Sequence, residues 1–420
     1  MTEPEDPRPD PVWGEPAGRV VPPEVFDRPE GTAEGRLAPV LAPLLPLYGL
    51  GVLTAFNVGM LPPLLPLVAG EWALSTVEAG LINTVYAVGR LGGSYPASWT
   101  RARWGTRTAV FLGLVGLIVG SVACGLAPSF RVFLAARLLM GLGASAAFLA
   151  VFAEFLEAAP AAWRGRLTNA FEAVAILSMA AGSVLAAELA HAAGWRVVFV
   201  GAGLAVMAGF LAGRSVEPWA GRHVAPSAGV LRIPAAELRR LAPVYAAGLA
   251  LAMTWTGLVA TLIPLLGHAR YGLSAPALGL ALGAGYVAEL AGLIGVGLVI
   301  DRFRREPVFL TGAASVVAGG GLLAVGTRPE LFVIGLVLVG GGFAVWMIPA
   351  LVLADRVGTP LPAGHLALYR IAMDAGMILG PLVLGGIAQL AGDRLAVGTA
   401  GLVLVGGALI LMRRGRPPVI

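Results

Sequence analysis

The sequence contains no lysine and few charged residues of any kind. All 29 basic residues are arginines, and charged residues make up 13% of the 420 positions, against 57% hydrophobic residues. The mean hydropathy is +0.83. A soluble domain needs about 25% charged residues to cover its surface. This shortage of charge excludes an ordinary soluble domain and indicates a membrane protein.

Cysteine and histidine are also scarce. Cys124 is the only cysteine, so neither a disulfide nor a cysteine metal site can form within one chain. Without lysine there is no Gly-x-x-x-x-Gly-Lys-Ser/Thr loop, so ATP does not drive this chain. The net charge of +5 is spread over loops and forms no basic block of the kind that binds nucleic acid. We predict no cofactor, no metal, no nucleic-acid partner and no enzymatic activity.

The sequence does contain twelve apolar runs, and a helix needs about 20 apolar residues to cross a bilayer. They cover 41–68, 76–97, 107–127, 131–153, 167–191, 197–213, 241–266, 276–300, 307–326, 330–353, 364–391 and 395–412. The alternation typical of a membrane β-barrel is absent. We predict an all-α integral membrane protein with twelve transmembrane helices in two pseudo-symmetric six-helix bundles.

Polar stretches divide the chain into domains. Residues 1–36 hold nine acids and four arginines with almost no apolar periodicity, which predicts a disordered tail. The other predicted segments are an N-terminal six-helix bundle at 37–213, a linker at 214–240, a C-terminal six-helix bundle at 241–413 and a second tail at 414–420.

The arginines outside the runs lie mostly on one side of the predicted membrane. Alternate loops hold seventeen arginines on one side and five on the other, before the first tail is added. Because cytoplasmic loops carry the excess of basic residues, both tails and the linker are predicted to be cytoplasmic. We expect a monomeric multi-pass protein of the plasma (inner) membrane, in contact with the lipid bilayer.

The two sets of runs share landmarks at a nearly constant offset. Arg103 and Arg302 are 199 residues apart, and Gly182 and Gly380 are 198 apart. Internal repeats of this kind are typical of secondary transporters, in which two bundles move around a site near the middle of the membrane.

Motifs in the loops and helices give a family resemblance. The loop after the eighth run contains Gly297, Asp301, Arg302 and Arg305, and the loop after the second run keeps Arg103, Gly105 and Arg107. With Arg137-Leu-Leu-Met-Gly141-Leu-Gly143 in the fourth run and Gly194-Trp195-Arg196 before the sixth, this pattern resembles the major facilitator superfamily over about residues 37–413. The resemblance implies the family's twelve-helix fold and a gating role for both loops.

The sequence departs from the family pattern at four points, the first of which is Ser98 in place of the first glycine of the loop motif. Ala102 stands where the family has an aspartate that helps to hold the cytoplasmic side closed, so we expect Asp301 to carry more of that role. Arg304 stands where glycine is usual. The fifth run, at Gly182, lacks the glycine-proline motif of drug/proton antiporters, which weighs against a typical multidrug antiporter.

Several polar side chains lie inside the runs, where such groups are costly and commonly functional. The candidates for substrate binding or coupling are Arg90, Glu172, Glu289, Arg370 and Asp374, followed by Arg137 and Asn57. The family resemblance implies that the second helix abuts the eleventh and the fifth abuts the eighth. We therefore expect the first five to form a cluster between the central cavity and the cytoplasmic gate. The alternative is a set of static pairs that only fix helix register.

These features predict a secondary active transporter that moves a small solute by alternating access, with protons as the coupling ion. Glu172 and Glu289 would face each other, and neighbouring carboxylates favour keeping a proton on one of them. Arg90, Arg137 and Arg370 favour uptake of an anionic solute. If the arginines are all paired internally, the cargo is instead a neutral or cationic compound that is exported. A membrane sensor that does not transport is the alternative of another class.

Overall fold

The computed structural model describes residues 44–158, 164–213, 233–300, 302–358 and 363–413. All regular secondary structure in these ranges is helical. The first bundle comprises α1 (Leu45–Gly59), α2 (Leu61–Glu71), α3 (Thr76–Leu126), α4 (Phe130–Ala158), α5 (Arg164–Ala193) and α6 (Trp195–Gly213). The predicted tail at 1–36, the tail at 414–420, most of the linker and Asp301 lie outside the described residues.

The second bundle repeats this plan with more interruptions. It comprises α7 (Ala235–Thr254), a π-helical segment (Trp255–Leu262), α8 (Ile263–Ala269), α9 (Ala275–Val299), α10 (Arg305–Val325), α11 (Pro329–Phe343), α12 (Ile348–Val357), α13 (Ala363–Ala391) and α14 (Asp393–Arg413).

The number of membrane crossings is consistent with the twelve predicted runs. In the described ranges nine helices are long and apolar enough to span a membrane, the bent pair α1–α2 makes a tenth, and α6 is a shorter apolar helix. The 51-residue α3 contains two runs, because Gly105 has φ +85° and divides it into segments 76–104 and 106–126. Glycine is the residue that adopts such a φ without a steric cost.

Local sequence explains where several helices begin and end. Ser75 caps α3 by accepting a hydrogen bond from the Glu78 amide, and the Glu78 carboxylate accepts one from the Ser75 amide at 2.8 Å. Gly194 ends α5 and Gly392 ends α13, each with φ +89°. These two glycines are 198 residues apart, so the repeat inferred from the sequence is also present in the backbone conformation.

Some helix boundaries differ from the predicted runs. The first run is two helices that meet at 40°, because Pro62 and Pro63 cannot donate the backbone hydrogen bonds that would continue α1. The seventh helix begins at Ala235, six residues before the predicted start, directly after Pro234. The tenth run is divided between α11 and α12.

The two bundles meet along two seams, α3 with α13 and α5 with α9, as the family resemblance implied. Across the first seam, Thr84 Oγ1 donates to the Ile378 carbonyl at 3.1 Å. Across the second, Ser183 Oγ donates to the Gly279 carbonyl at 3.2 Å. These bonds join the two bundles along both seams.

Among the described residues, the seams are packed more closely at one end than at the other. At the end where α3 begins, here called the Ser75 end, the Val77 amide donates to Gln389 Oε1 at 3.4 Å, and Asn83 also bonds across the bundles. At the opposite end, here called the Arg103 end, no residue of α9 from Leu290 to Val299 is buried, whereas eight residues from Leu278 to Glu289 are. The described halves therefore touch at the Ser75 end and separate toward the Arg103 end.

Candidate functional site

A group of three charges lies on the seam between α3 and α13. The carboxylate of Asp374 is 1% exposed and forms ion pairs with Arg90 at 3.7 Å and with Arg370 at 3.4 Å. Arg90 Nη1 also contacts Met377 Sδ at 3.5 Å. Arg370 Nη2 is buried and makes no hydrogen bond. In this arginine cluster (Arg90, Arg370, Asp374), two guanidinium groups share one carboxylate.

Two carboxylates lie on the other seam. From the Ser183–Gly279 contact, eleven residues back along α5 lead to Glu172 and ten residues forward along antiparallel α9 lead to Glu289. The two side chains therefore lie at one level of the seam. Among the described residues, neither carboxylate of this acid pair (Glu172, Glu289) has an ion pair or hydrogen bond.

A small cavity opens beside the acid pair. Glu289 and Tyr286 line it from α9, Trp255 lines it from the π-helical segment, and Phe343 lines it from α11. Tyr286 is 2% exposed, and its hydroxyl makes no hydrogen bond. The cavity has about the smallest size that can hold a water molecule.

Two further candidates lie inside the first bundle. The Arg137 guanidinium is 2% exposed, lies 4.4 Å from the centroid of the Tyr86 ring and contacts Met140 Sδ at 3.3 Å. Asn57 donates to the Leu53 carbonyl at 2.8 Å. Within the described part of the chain, no ion pair or hydrogen bond joins these two residues to either charge group. The structure thus places five of the seven candidates in two groups, one on each seam.

The two loop motifs differ in backbone and in pairing. In the first, Gly105 makes the turn, and Arg103 and Arg107 are exposed. In the second, Arg304 has φ −62°, an extended conformation that arginine adopts without strain, so glycine is not needed there. Arg305 pairs with Asp355 at 2.7 Å.

Gly297, at the start of the second motif, has open space around it, and Arg302 is exposed. Asp301 lies outside the described residues. The gating role of these loops therefore stays a prediction.

Sequence reasoning missed a titratable group at the Arg103 end of the second bundle. His365 is 5% exposed, and its Nδ1 lies 2.9 Å from the Tyr245 hydroxyl. Its Nε2 lies 3.4 Å from the Glu237 carboxylate. The available signal was a histidine inside the eleventh run. Glu237, the partner of His365, lies in the stretch 214–240 that was predicted to be the linker.

The arrangement of two bundles around two polar seams agrees with a family match. Residues 47–357 and 244–420 match the Major Facilitator Superfamily model. The chain belongs to this superfamily. With its long apolar helices, it is a multi-pass membrane protein of that family.

Proteins similar to this chain are named for different cargo. D-xylose-proton symporter-like 2 of Arabidopsis thaliana is 28% identical over 164 residues, which are 39% of this chain and 32% of that protein. A chloramphenicol efflux pump of Mycobacterium tuberculosis (strain ATCC 25618 / H37Rv) is 28% identical over 329 residues, which are 76% of this chain and 79% of the pump. The chain spans only 24–32% of the length of the first curated relatives that it matches.

Solved structures agree on the fold. The xylose transporter XylE from E. coli, in a partially occluded inward-open conformation, has a TM-score of 0.70 and 15% sequence identity. The likeness covers 90% of this chain and 100% of that chain. At this identity it shows the fold alone.

Proposed function

We propose that this transporter takes up an anionic solute together with protons. The observation that carries the proposal is the separation of charge between the two seams. The acid pair has two carboxylates without a basic partner, whereas the arginine cluster has two guanidinium groups for one carboxylate. Each seam therefore has a charge excess that a ligand or a proton can balance.

The acid pair supports proton coupling. Glu289 is only 9% exposed, and two ionised carboxylates at the same level of one seam repel each other where water is scarce. Binding a proton relieves this repulsion, and releasing it restores the charge. Because the pair lies where the bundles meet, its protonation changes the contact that has to rearrange during alternating access.

The arginine cluster supports an anionic solute. Asp374 balances one of the two guanidinium groups, and Arg370 Nη2 has no hydrogen-bond partner. Arg370 is 30% exposed and Arg90 is 21% exposed, so both can be reached from the space between the bundles. Arginine presents paired donors that match a carboxylate or phosphate group.

The arginine bias of the loops supports an orientation. We place the Arg103 end in the cytoplasm, with the tails at 1–36 and 414–420 and the linker at 214–240 on that side of the plasma membrane. In this orientation the described parts of the two bundles touch on the outer side and separate toward the cytoplasm. We propose that the protein acts as a monomer in the lipid bilayer.

Export of a neutral or cationic compound is the second candidate. The chloramphenicol efflux pump aligns with 76% of this chain, a larger share than the symporter-like relative does. In an exporter of this kind, the arginines of the cluster would serve only to hold Asp374, and the acid pair would bind the cargo or a proton.

A thermal-shift screen of the purified full-length protein in detergent separates these candidates. Pools of anionic, neutral and cationic metabolites are tested at two pH values. A ligand at a hundred times its dissociation constant adds about 2.7 kcal/mol to the free energy of unfolding, which a thermal shift detects. We expect a shift with anions that is lost in Arg370→Gln.

The other outcomes are equally informative. Shifts with lipophilic cations alone contradict anion uptake and support export. A ligand that shifts the melting temperature but does not accumulate in proteoliposomes with an imposed pH gradient supports a sensor without transport.

A further inference from the structure

The same helix contact occurs in both bundles. In the first, a Cβ atom at Gly141 of α4 would clash with the Tyr86 carbonyl oxygen of α3. In the second, a Cβ atom at Gly340 of α11 would clash with the Gly285 carbonyl oxygen of α9. Gly340 and Gly285 each follow their counterparts by 199 positions. The repeat therefore gives, for each residue at this contact in one bundle, its equivalent in the other.

Arg137 fills the space beside this contact in the first bundle. Its guanidinium lies 4.4 Å from the centroid of the Tyr86 ring and contacts Met140 Sδ at 3.3 Å. At the positions equivalent to these three residues, the second bundle has smaller ones, namely Leu336, Gly285 and Val339. All three of the smaller residues line the cavity beside Glu289. The cavity therefore lies where the first bundle has the Arg137 side chain.

Two polar residues in the wall of this cavity have no partner among the described residues. Tyr286 is 2% exposed and its hydroxyl makes no hydrogen bond, and Glu289 is 9% exposed and also unpaired. They are three positions apart on α9, so their side chains project from one face of the helix. Buried polar groups without hydrogen bonds are costly, and the cavity has about the size of one water molecule.

We propose that the cavity binds one water molecule, held between the Tyr286 hydroxyl and the Glu289 carboxyl group. Tyr286 positions this water so that Glu289 is hydrogen-bonded in both of its charge states. Water and a phenol hydroxyl each donate and accept hydrogen bonds. When Glu289 is ionised, the hydroxyl donates to the water and the water donates to the carboxylate. When Glu289 holds a proton, the carboxyl group donates to the water and the water donates to the phenol oxygen.

The inference rests on the proposed function for proton coupling and adds the groups that make protonation of Glu289 reversible. Glu172 of α5 lies at the same level of the seam. The cavity wall from α11 and the π-helical segment contains no titratable side chain. The other described charged or titratable residues on the helices packed against α9 lie toward the helix ends: Glu71, Arg166, Glu188, His191, His268 and Glu330. The titration of Glu289 therefore reports on the bound water and on Glu172.

Infrared difference spectroscopy of the purified full-length protein in lipid vesicles tests the proposal and needs no knowledge of the solute. The carbonyl stretch of a protonated carboxyl group disappears as the pH is raised, and Glu289→Gln identifies the band that belongs to Glu289. Tyr286→Phe removes the donor to the water and so destabilises the ionised carboxylate. We expect the pH at which half of the band is lost to rise by about one unit, a tenfold change in proton binding.

A second variant tests the water separately from the hydroxyl. Val339→Met introduces the residue that the first bundle has at the equivalent position, so it fills the cavity and keeps both polar groups. We expect the same upward shift as in Tyr286→Phe. Val337→Met is the matched control and should leave the half-point unchanged, because Val337 is 41% exposed on the same helix.

A measurement on the unchanged protein does not depend on how any variant folds. The O–H stretch of a water bound at Glu289 changes when Glu289 gains or loses its proton. This band should therefore appear in the difference spectrum and move to lower frequency in water enriched in heavy oxygen, whereas the bands of the phenol hydroxyl keep their frequency.

The outcomes distinguish this inference from the proposed function. An unchanged half-point in Tyr286→Phe overturns the inference. A shift in Tyr286→Phe but not in Val339→Met, without an isotope-sensitive water band, means that the hydroxyl bonds directly to Glu289 and overturns the water site. The absence of any pH-dependent Glu289 band in the unchanged protein contradicts proton coupling through the acid pair, and with it the proposed function.

Discussion

Asp374 is the residue on which the arginine cluster depends. Asp374→Asn removes the one carboxylate between Arg90 and Arg370 and leaves two guanidinium groups that repel each other. We expect a loss of about 1–3 kcal/mol in the free energy of unfolding, less than for a fully buried pair because both arginines are partly exposed. Thermal unfolding in detergent measures the loss.

A double-mutant cycle identifies the cause of that loss. Arg90→Gln should cost less in the Asp374→Asn background than in the unchanged protein, because the pair is already broken. Asp355→Asn is the control, since it removes an ion pair with Arg305 in which the carboxylate is 54% exposed. An equal loss for Asp355→Asn and Asp374→Asn would show that the buried position does not matter.

Glu172 tests proton coupling. Glu172→Gln removes a charge from the acid pair, so the protein no longer needs a proton there. We expect uptake into proteoliposomes to lose its dependence on an imposed pH gradient, while exchange of solute across the membrane continues. Glu188→Gln, at an exposed site on the same helix, should keep the dependence. A pH dependence retained in Glu172→Gln contradicts the coupling role.

The sequence predicted the positions of these charges along the helices but not their partners. We expected all five charges in one cluster, whereas Arg90 pairs with Asp374 on α13 and the two glutamates lie on the other seam. Partner choice depends on how α3 rotates against α13. The partners of His365 depend in the same way on the packing of α7 against α13, which no local pattern of residues specifies.

At the scale of elements, α13 packs most closely where it has glycine. A Cβ atom at Gly380 would lie 2.2 Å from the Met253 carbonyl oxygen, whereas a Cβ atom at Gly386 would meet nothing within 4 Å. Gly380→Ala therefore has to push α13 away from α7 and should cost about 1–3 kcal/mol. Gly386→Ala should leave the free energy of unfolding nearly unchanged.

Comparing the two variants by thermal unfolding tests this packing. They exchange the same residues on the same helix, so helix propensity affects both alike. Equal stability of the two variants would mean that α13 and α7 are not as close as the structure has them.

The π-helical segment shows why helix boundaries were harder to predict than helices. The apolar run at 241–266 predicted one continuous helix, but Pro264 has no amide hydrogen to donate to the Ala260 carbonyl. That carbonyl accepts a hydrogen bond from Asn83 Nδ2 at 2.9 Å instead. The proline was visible in the sequence. The donor, Asn83, could not be predicted from the local sequence because it belongs to the other bundle.

For the whole molecule, the sequence predicted the bundle architecture and an orientation but not which end is closed. The architecture can be predicted from the composition and the number of apolar runs, because each transmembrane helix satisfies its backbone hydrogen bonds within its own segment. The closed end depends on contacts between residues such as Thr84 and Ile378, which are 294 positions apart. A sequence that supports alternating access is compatible with either end being closed.

Asn83 is the residue we expect to hold the Ser75 end shut. Its amide donates to the Ala260 carbonyl at 2.9 Å and to Thr261 Oγ1 at 3.0 Å, both across the bundles. Asn83→Ala removes both bonds, worth about 1 kcal/mol in total after exchange with water. This should increase the population open at the Ser75 end about fivefold.

Cysteine labelling measures that population. Cys124, the only native cysteine, is replaced by alanine, and Ser183→Cys introduces a probe that is buried on the α5–α9 seam near the Ser75 end. We expect a membrane-impermeant maleimide to label the probe about fivefold faster with Asn83→Ala. Ser98→Ala is the control, because Ser98 bonds only within its own helix, to the Ser94 carbonyl at 3.0 Å. Equal labelling rates with and without Asn83 would mean that other contacts close this end.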